Sequence, residues 1–460
     1  MMSRREKRRK RRGAWELIQL LGSAPDLPPS NLPSNSLSID IKKRLKRDSI
    51  TYLLGKLIPA GIGVISVSIF IRLIGTEEYG KFALLLSIVL LVSNMASGWI
   101  CQGILRFSSD YQSDEDKATF RTVVSWSSLI SIVVGVSAVS SAAFWFMNSP
   151  WKVTLIGVMV FISFFSYSVR VTIQQAELNA PSVLWAEAVR AVTTLAVPLL
   201  LFFMLKNKGY ILLMCGTLAG YIMGLIALRK GPLLSLKSNA VTDMIMMGRI
   251  IWNYGWPLAI WFAFAYLLNV SDRYLIKYFV DYNAVGIYSA IYDIVYKSFS
   301  LLLLPVTIAA HPLITSQWNS GDKAGTPTLL KEAIKYQLLI FLFVISVFYF
   351  SSALLVRLIL GVDDPVAAGL VVPVAIGSFL WQIAMLIHKP MELLYQTKRM
   401  LVFVGIALAV NIVGNIVLIP VYGYPVAAYT TIAGSLVYLL LVVVTTIRRL
   451  DCLTDLESTS

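Results

Sequence analysis

The chain has 460 residues, of which 57% are hydrophobic and only 14% charged. Soluble globular chains carry about 25% charged and 45–50% apolar residues, so this balance excludes an ordinary soluble domain. Much of the net charge of +15 stands in two basic runs ahead of the first apolar stretch, which places it beside a membrane rather than on a nucleic-acid surface.

In chain order, the first element is a basic leader, 1–49. It contains the run RREKRRKRR at 4–12, a short apolar piece at 15–21 suited to a membrane surface, a disordered Pro- and Ser-rich linker at 25–38, and KKRLKR at 42–47. No apolar segment with a cleavage site follows the first run, so it is not read as a signal peptide. Juxtamembrane Lys and Arg contribute about 1 kcal/mol each toward anionic lipid, and anionic lipids are the partner expected of the leader.

Twelve apolar runs follow. Six lie near 50–74, 82–105, 122–147, 153–171, 183–205 and 210–228, and six near 251–278, 284–310, 334–360, 367–387, 401–421 and 424–447. Each is close to the roughly 20 residues that cross a hydrocarbon core, and only helices satisfy their own backbone there. Lys and Arg favour the even-numbered turns, with Arg106, Lys117, Arg121, Arg229, Lys230, Lys389 and Lys398 among them. The positive-inside rule then places both termini in the cytoplasm, in a cell membrane.

The two sets of six repeat one another in places. Gly80 and Gly286 stand at the turn between the first two spans of each set, and Gly209-Tyr210 precedes Ala219-Gly220 as Gly423-Tyr424 precedes Ala433-Gly434. Six spans per repeat keep both copies in one orientation. The expected fold is therefore an all-α polytopic membrane protein, with two six-helix lobes related by a pseudo-two-fold along the membrane normal. The lobes are 50–230 and 251–449, joined by a cytoplasmic linker at 231–250 and followed by a tail at 450–460. The three cysteines, Cys101, Cys215 and Cys452, form no CxxC, and the two histidines are His311 and His388. Neither a disulfide framework nor a metal site is suggested, and no cofactor is expected.

Several segments carry a family resemblance. They are Ile71-Arg-Leu-Ile-Gly-Thr-Glu-Glu-Tyr-Gly80 with Gln102-Gly-Ile-Leu-Arg-Phe107, then Asp272-Arg-Tyr274 with Val285-Gly-Ile-Tyr-Ser289. Near the C-terminus, Gln396-Thr-Lys398 leads to Asn411-Ile-Val-Gly-Asn-Ile-Val-Leu-Ile-Pro-Val-Tyr-Gly423. In this order they resemble the polysaccharide transporter branch of the multidrug/oligosaccharidyl-lipid/polysaccharide exporter superfamily, typified by O-antigen flippases. The long leader and Pro425 depart from the family pattern. The resemblance implies a flippase, not an enzyme, that moves polyprenyl-diphosphate-linked glycan by alternating access. H⁺ or Na⁺ is a candidate driving ion, and other glycan-assembly membrane proteins are candidate partners. Two alternatives stay open: a drug/cation antiporter of the same superfamily, and a membrane glycan polymerase or ligase, for which the internal loops offer no carboxylate pair.

Charges inside the spans are functional candidates, because each costs about 2.5–3.5 kcal/mol to insert. On the eighth span Ser289, Asp293, Lys297 and Ser300 share a face, with Tyr288, Tyr292 and Tyr296 beside it. This face reads as one wall of a polar cavity, Asp293 pairing with Lys297, against the alternative of an ion pair that only locks packing. Arg72, Asp272, Arg273 and Lys277 lie toward the outer ends of the first and seventh spans. Lys56 sits a turn into the first span and reads equally as a snorkelling lysine. A lipid-linked diphosphate needs cations, so Lys56, Arg72, Arg273, Lys277 and Lys297 are candidates to hold it, and Asp272 and Asp293 are candidate coupling or ion-pair residues. Pro59, Gly61 and Gly63 in the first span, with Pro257 in the seventh, are candidate hinges. Glu187 and Arg190 read as cytoplasmic-gate or flank pairs, and His388, at an inner turn, as a loop histidine against the alternative of a proton sensor.

Overall fold

A computed structural model describes residues 36–111, 113–147, 151–205, 209–228, 241–319, 325–394 and 396–458. The expectations for 1–35, and for 231–240 of the linker, lie outside the described residues; 241–250 of the linker is the start of a helix. The chain divides into two compact units, 1–49 and 50–460.

Among the described residues every long element is a helix. The first six are α1 Ser36–Ile74, α2 Thr76–Phe107, α3 Asp114–Met147, α4 Trp151–Ala176, α5 Ala180–Leu205 and α6 Ile211–Ala227. The next six are α7 Val241–Phe279, α8 Tyr282–Asn319, α9 Thr326–Leu360, α10 Pro365–Ile387, α11 Thr397–Tyr422 and α12 Val426–Ser458. A five-residue helical turn, Lys389–Leu393, follows α10. Each predicted span falls within a few residues of one helix. The main extension is α1, which begins at Ser36 rather than near 50, because Leu, Lys and Arg are all good helix formers and nothing between Ser36 and Ile50 breaks the helix. Pro59 and Pro257 are both carried inside continuous helices.

Ten of the helices are long and apolar enough to cross a membrane, and α6 is a shorter apolar helix. Trp252, Asn253, Tyr254, Trp256 and Pro257 dilute the hydropathy of α7, which nonetheless packs along α2, α11 and α3. The protein is an all-α polytopic membrane protein. Its alternating helices define two sides, one carrying the odd-numbered turns and one the even-numbered turns. On the odd-turn side Glu78 accepts a hydrogen bond from the backbone N–H of Tyr210 at 2.9 Å, and Arg72 meets the end of α9. On the even-turn side Phe107 packs edge-on against Tyr254 at 5.4 Å, and Arg121 lies 3.5 Å from Glu177.

Two kinds of glycine contact follow the sequence repeat. A Cβ on Gly80 would lie 2.1 Å from the carbonyl oxygen of Tyr282, and one on Gly286 would lie 1.8 Å from that of Thr76. The odd-turn ends of α2 and α8 therefore cross backbone to backbone, each helix donating its repeat glycine. Within each half, the sixth helix approaches the fifth in the same manner. A Cβ on Gly220 would meet the Arg190 carbonyl oxygen, and one on Gly434 that of Ala407, both at 3.0 Å. Small residues allow such approach in lipid, where no hydrophobic force drives helices together.

The cores are distributed along the bundle. One lies mainly among α2, α3 and α4, around Val89, Phe161 and Phe165. Another lies among α8, α9 and α10, around Tyr288, Phe299 and Val371. The odd-turn half of α1 is anchored by Val67, Phe70 and Ile71 against Tyr79, Leu213, Ala290 and Ile359. Its even-turn half is looser, with Leu54, Ile58 and Ile65 exposed.

Candidate functional site

The charged face of α8 sits against α7. Arg273 Nη2 donates to Asp293 Oδ1 at 2.5 Å, whereas Lys297 Nζ stands 3.9 Å from Oδ2. Asp293 does not pair chiefly with Lys297, as helical spacing suggests; the better partner comes from the neighbouring helix, where the planar guanidinium reaches the carboxylate squarely. Breaking this part-buried pair costs less than the roughly 3–5 kcal/mol of a fully buried one, because Asp293 is 24% exposed and keeps Lys297 beside it. Two cations against one carboxylate leave the cluster with one positive charge in excess. Arg273 Nε is buried with no hydrogen-bond partner, and Lys297 is more than a third exposed. Lys297 Nζ comes within 3.8 Å of a Cβ built on Gly63 of α1, and nothing in the described structure lies within 4 Å of one on Gly61. The Lys297 ammonium thus reaches from α8 to the face of α1 that carries Gly63.

Of the other members of the predicted face, Ser289 is buried with its hydroxyl unpartnered, and Ser300 is committed elsewhere. Ser300 Oγ accepts from Gln382 Nε2 of α10 at 2.9 Å. The tyrosines form a stack, with Tyr288–Tyr292 and Tyr292–Tyr296 centroids 5.8 and 5.7 Å apart. Their hydroxyls turn to α7: Tyr292 donates to Asn269 at 2.7 Å, and Tyr288 to Asp272 at 2.5 Å. That stripe joins α8 to α7 rather than lining an open wall.

Asp272 is fully buried. Besides Tyr288, Asn415 Nδ2 and Thr431 Oγ1 donate to it, both at 2.7 Å. Around them Ser271 donates to Asn411 at 2.8 Å, and Thr430 donates to Asn415 Oδ1 at 2.6 Å. The result is a nest of carboxylate, amide and hydroxyl oxygens drawn from α7, α8, α11 and α12. Among the described residues no basic group lies within salt-bridge distance of Asp272, so the carboxylate is held by neutral donors. The signal in the sequence was Asn411 and Asn415 four residues apart on one helix face, with Thr430 and Thr431 after the turn.

The remaining predicted cations are scattered. Arg72 donates to the carbonyl oxygens of Arg357, at 3.0 Å, and of Leu358, closing the C-terminal end of α9 where the helix leaves carbonyls unpaired. Lys277 and Lys81 both approach the ring of Tyr282, each 5.7 Å from its centroid. Lys56 is exposed on the even-turn half of α1. Arg273, Asp293, Lys297 and Gly63 are therefore brought together; Arg72, Lys277 and Lys56 are not.

Two clusters go beyond the sequence reading. His388 is no loop histidine: it is 1% exposed, with Nε2 at 2.8 Å from Glu392 and Nδ1 at 3.1 Å from the Tyr438 hydroxyl. In the first half, Arg190 donates twice to Glu187 Oε2, from Nε at 3.1 Å and Nη2 at 2.6 Å. This pair lines a cavity of about 250 Å³ between α4, α5 and α6.

The sequence matches the family model described as "Polysaccharide biosynthesis protein" over residues 45–318, more than half of the chain. No curated protein matches the sequence significantly. Among solved structures, the fold is similar to the "Lipid II flippase MurJ, inward closed conformation", with TM-score 0.67 and 13% identity, covering 86% of this chain and 87% of that one. It is also similar to an "Inward-facing conformation of a multidrug resistance MATE family transporter of the MOP superfamily". There the TM-score is 0.60 and identity 14%, covering 89% of this chain and 96% of that one. A MATE protein in a bent conformation gives TM-score 0.61 at 13% identity, covering 91% and 97%. At these identities the structures establish the fold alone. The family model, spanning most of α1 to α8, makes the chain a member of the polysaccharide biosynthesis protein family.

Proposed function

We propose that the protein is a flippase that carries a polyprenyl-diphosphate-linked glycan from the cytoplasmic to the outer leaflet by alternating access, supplying a polysaccharide assembled outside the cell membrane. The observation that carries this reading is the cationic centre. Arg273 and Lys297 outnumber Asp293, Lys297 is more than a third exposed, and it reaches Gly63 of the other half. A diphosphate would compete with Asp293 for both cations, so the carboxylate holds them in place until the anion arrives. Lys56 and Lys277 would act nearer the two mouths of the path, and Arg72 near the outer one.

On this reading 50–230 and 251–449 are the moving lobes, flexing at Pro59, Gly61, Gly63 and Pro257, and the Gly80–Gly286 crossing parts when the path opens outward. The Asp272 nest is the coupling site: one carboxylate among amide and hydroxyl oxygens suits a proton or Na⁺. No covalent bond of the substrate is made or broken. Both termini face the cytoplasm, where the basic leader meets anionic lipid.

The test is translocation of a fluorescent polyprenyl-diphosphate glycan in proteoliposomes, read by its protection from a membrane-impermeant quencher. We expect protein-dependent flipping whose rate changes under an imposed H⁺ or Na⁺ gradient. Failure to move any such lipid, with uptake of an organic cation such as ethidium instead, would establish the antiporter reading. Release of free polyprenyl diphosphate would establish a glycan-transfer enzyme.

A further inference from the structure

The cavity between α4, α5 and α6 has walls of two kinds. Phe164, Tyr167 and Tyr221 give it aromatic surface, while Glu187, Arg190 and Ser168 line it with polar groups. The guanidinium of Arg190 lies over the rings of Tyr221 and Tyr167, 5.4 and 5.8 Å from their centroids. That contact and the bonds to Glu187 fix the fork in one orientation. Both of those bonds go to Oε2 of Glu187, and a guanidinium carries five N–H donors. Hydrogen-bonding capacity is therefore left over on both sides of the pair. The Tyr167 hydroxyl is buried, with its residue 3% exposed, and makes no well-formed hydrogen bond, although Glu187 and Arg190 stand within loose reach of it.

These features select the chemistry of an occupant. Arg190 is already neutralised by Glu187, which disfavours an anion, and the same pairing disfavours a cation. A purely apolar group would leave the hydroxyl and the ion pair unsatisfied. A neutral ligand with a C–H face and a rim of hydroxyls satisfies both walls. The volume of about 250 Å³ lies below the roughly 300–1,000 Å³ of pockets for drug-sized ligands, which suits a single sugar ring.

We infer that this cavity is a glycan subsite, in which Glu187, Arg190 and the Tyr167 hydroxyl bind one neutral monosaccharide unit of the cargo against Tyr221 and Phe164. This rests on the flippase reading, and it divides recognition between two places: cations near α8 hold the diphosphate, and the α4–α6 cavity reads the sugar.

The test measures binding to the purified full-length protein. The probes are a polyprenyl diphosphate and the same carrier bearing one hexose, one N-acetylhexosamine or one deoxyhexose. Wild type is expected to bind at least one sugar-bearing carrier about tenfold tighter than the bare carrier, the increment of a single hydrogen bond to a charged group. Two variants should abolish that increment while binding the bare carrier as wild type does. In Glu187→Gln/Arg190→Gln both charges go and volume is kept; in Ser168→Leu the cavity is filled and the ion pair is left alone. An increment that survives in a folded variant would overturn the subsite. So would a wild type indifferent to every sugar, or equal weakening of bare and sugar-bearing carriers. Wild type that binds none of the carriers, bare or sugar-bearing, would instead overturn the flippase reading itself.

Discussion

Arg273 and Lys297 share one carboxylate but have different consequences when removed. Arg273 is buried and forms the shorter contact with Asp293. Arg273→Gln should therefore lower thermal stability and membrane yield, by less than the roughly 3–5 kcal/mol of an orphaned buried charge, since Lys297 remains beside Asp293. Adding Asp293→Asn should restore yield without restoring transport, since removing both ions is often nearly neutral for folding. Lys297 is partly exposed and 3.9 Å from its carboxylate, so Lys297→Gln should leave the melting temperature nearly unchanged. Transport should nevertheless fall about tenfold or more, the worth of one charge-assisted hydrogen bond to the substrate. Full transport by a well-folded Lys297→Gln protein would remove this lysine from the path. Asp272 differs again, because neutral donors hold it. Asp272→Asn keeps volume and polarity, and is expected to fold and to bind substrate while its flipping rate becomes insensitive to an imposed ion gradient. Proteoliposomes prepared with and without the gradient provide the measurement.

Among elements, the crossing of α2 and α8 is the most demanding contact. A methyl group on either glycine would stand about 2 Å from a backbone carbonyl oxygen, and no side-chain rotation relieves a clash with backbone. Overpacking of this kind costs about 1–3 kcal/mol. Here the cost falls only on the conformation in which the two helices touch. Gly286→Ala should therefore displace the population toward the state open on the odd-turn side rather than unfold the protein. The check is the labelling rate of Asn283→Cys by an impermeant maleimide in a background lacking Cys101, Cys215 and Cys452. A shift of about 1.4 kcal/mol raises an open-state population roughly tenfold while it remains the minor state. An unchanged rate would mean that the crossing does not gate that side. The sequence repeat made both glycines visible, but only the packing revealed that they meet each other.

For the whole molecule, orientation is the open quantity that charge alone addresses. Lys398 and Arg399 mark an even-numbered turn, and Asp363 and Asp364 an odd-numbered one. The positive-inside bias predicts that Asp363→Cys labels in intact cells, whereas Lys398→Cys labels only after permeabilisation. The opposite pattern would invert the topology and with it the direction of flipping. The path itself is asymmetric between the halves. α7 packs on α2, α3 and α11, while α1 is anchored mainly in its odd-turn half. Lys297 approaches Gly63 on this looser flank.

By itself the sequence determined the helices, their order and the family, and it suggested a two-half repeat. Each of those rests on local information: a run of apolar residues must become a helix in lipid, and glycine spacing survives in the string. It also marked the costly charges, since an ionised group in an apolar run is conspicuous wherever it points. What the tertiary structure decided was partnership. Helical spacing proposed Lys297 for Asp293, but Arg273 from α7 sits closer; Asp272 sat in the string beside Arg273, yet it turns the other way, into amides and hydroxyls of α11 and α12. The string likewise gave Glu187 and Arg190 no cavity and His388 no partners. Adjacent residues on a helix point about 100° apart, so neighbours in sequence face different helices. Which helices those are depends on long-range packing that no local pattern encodes.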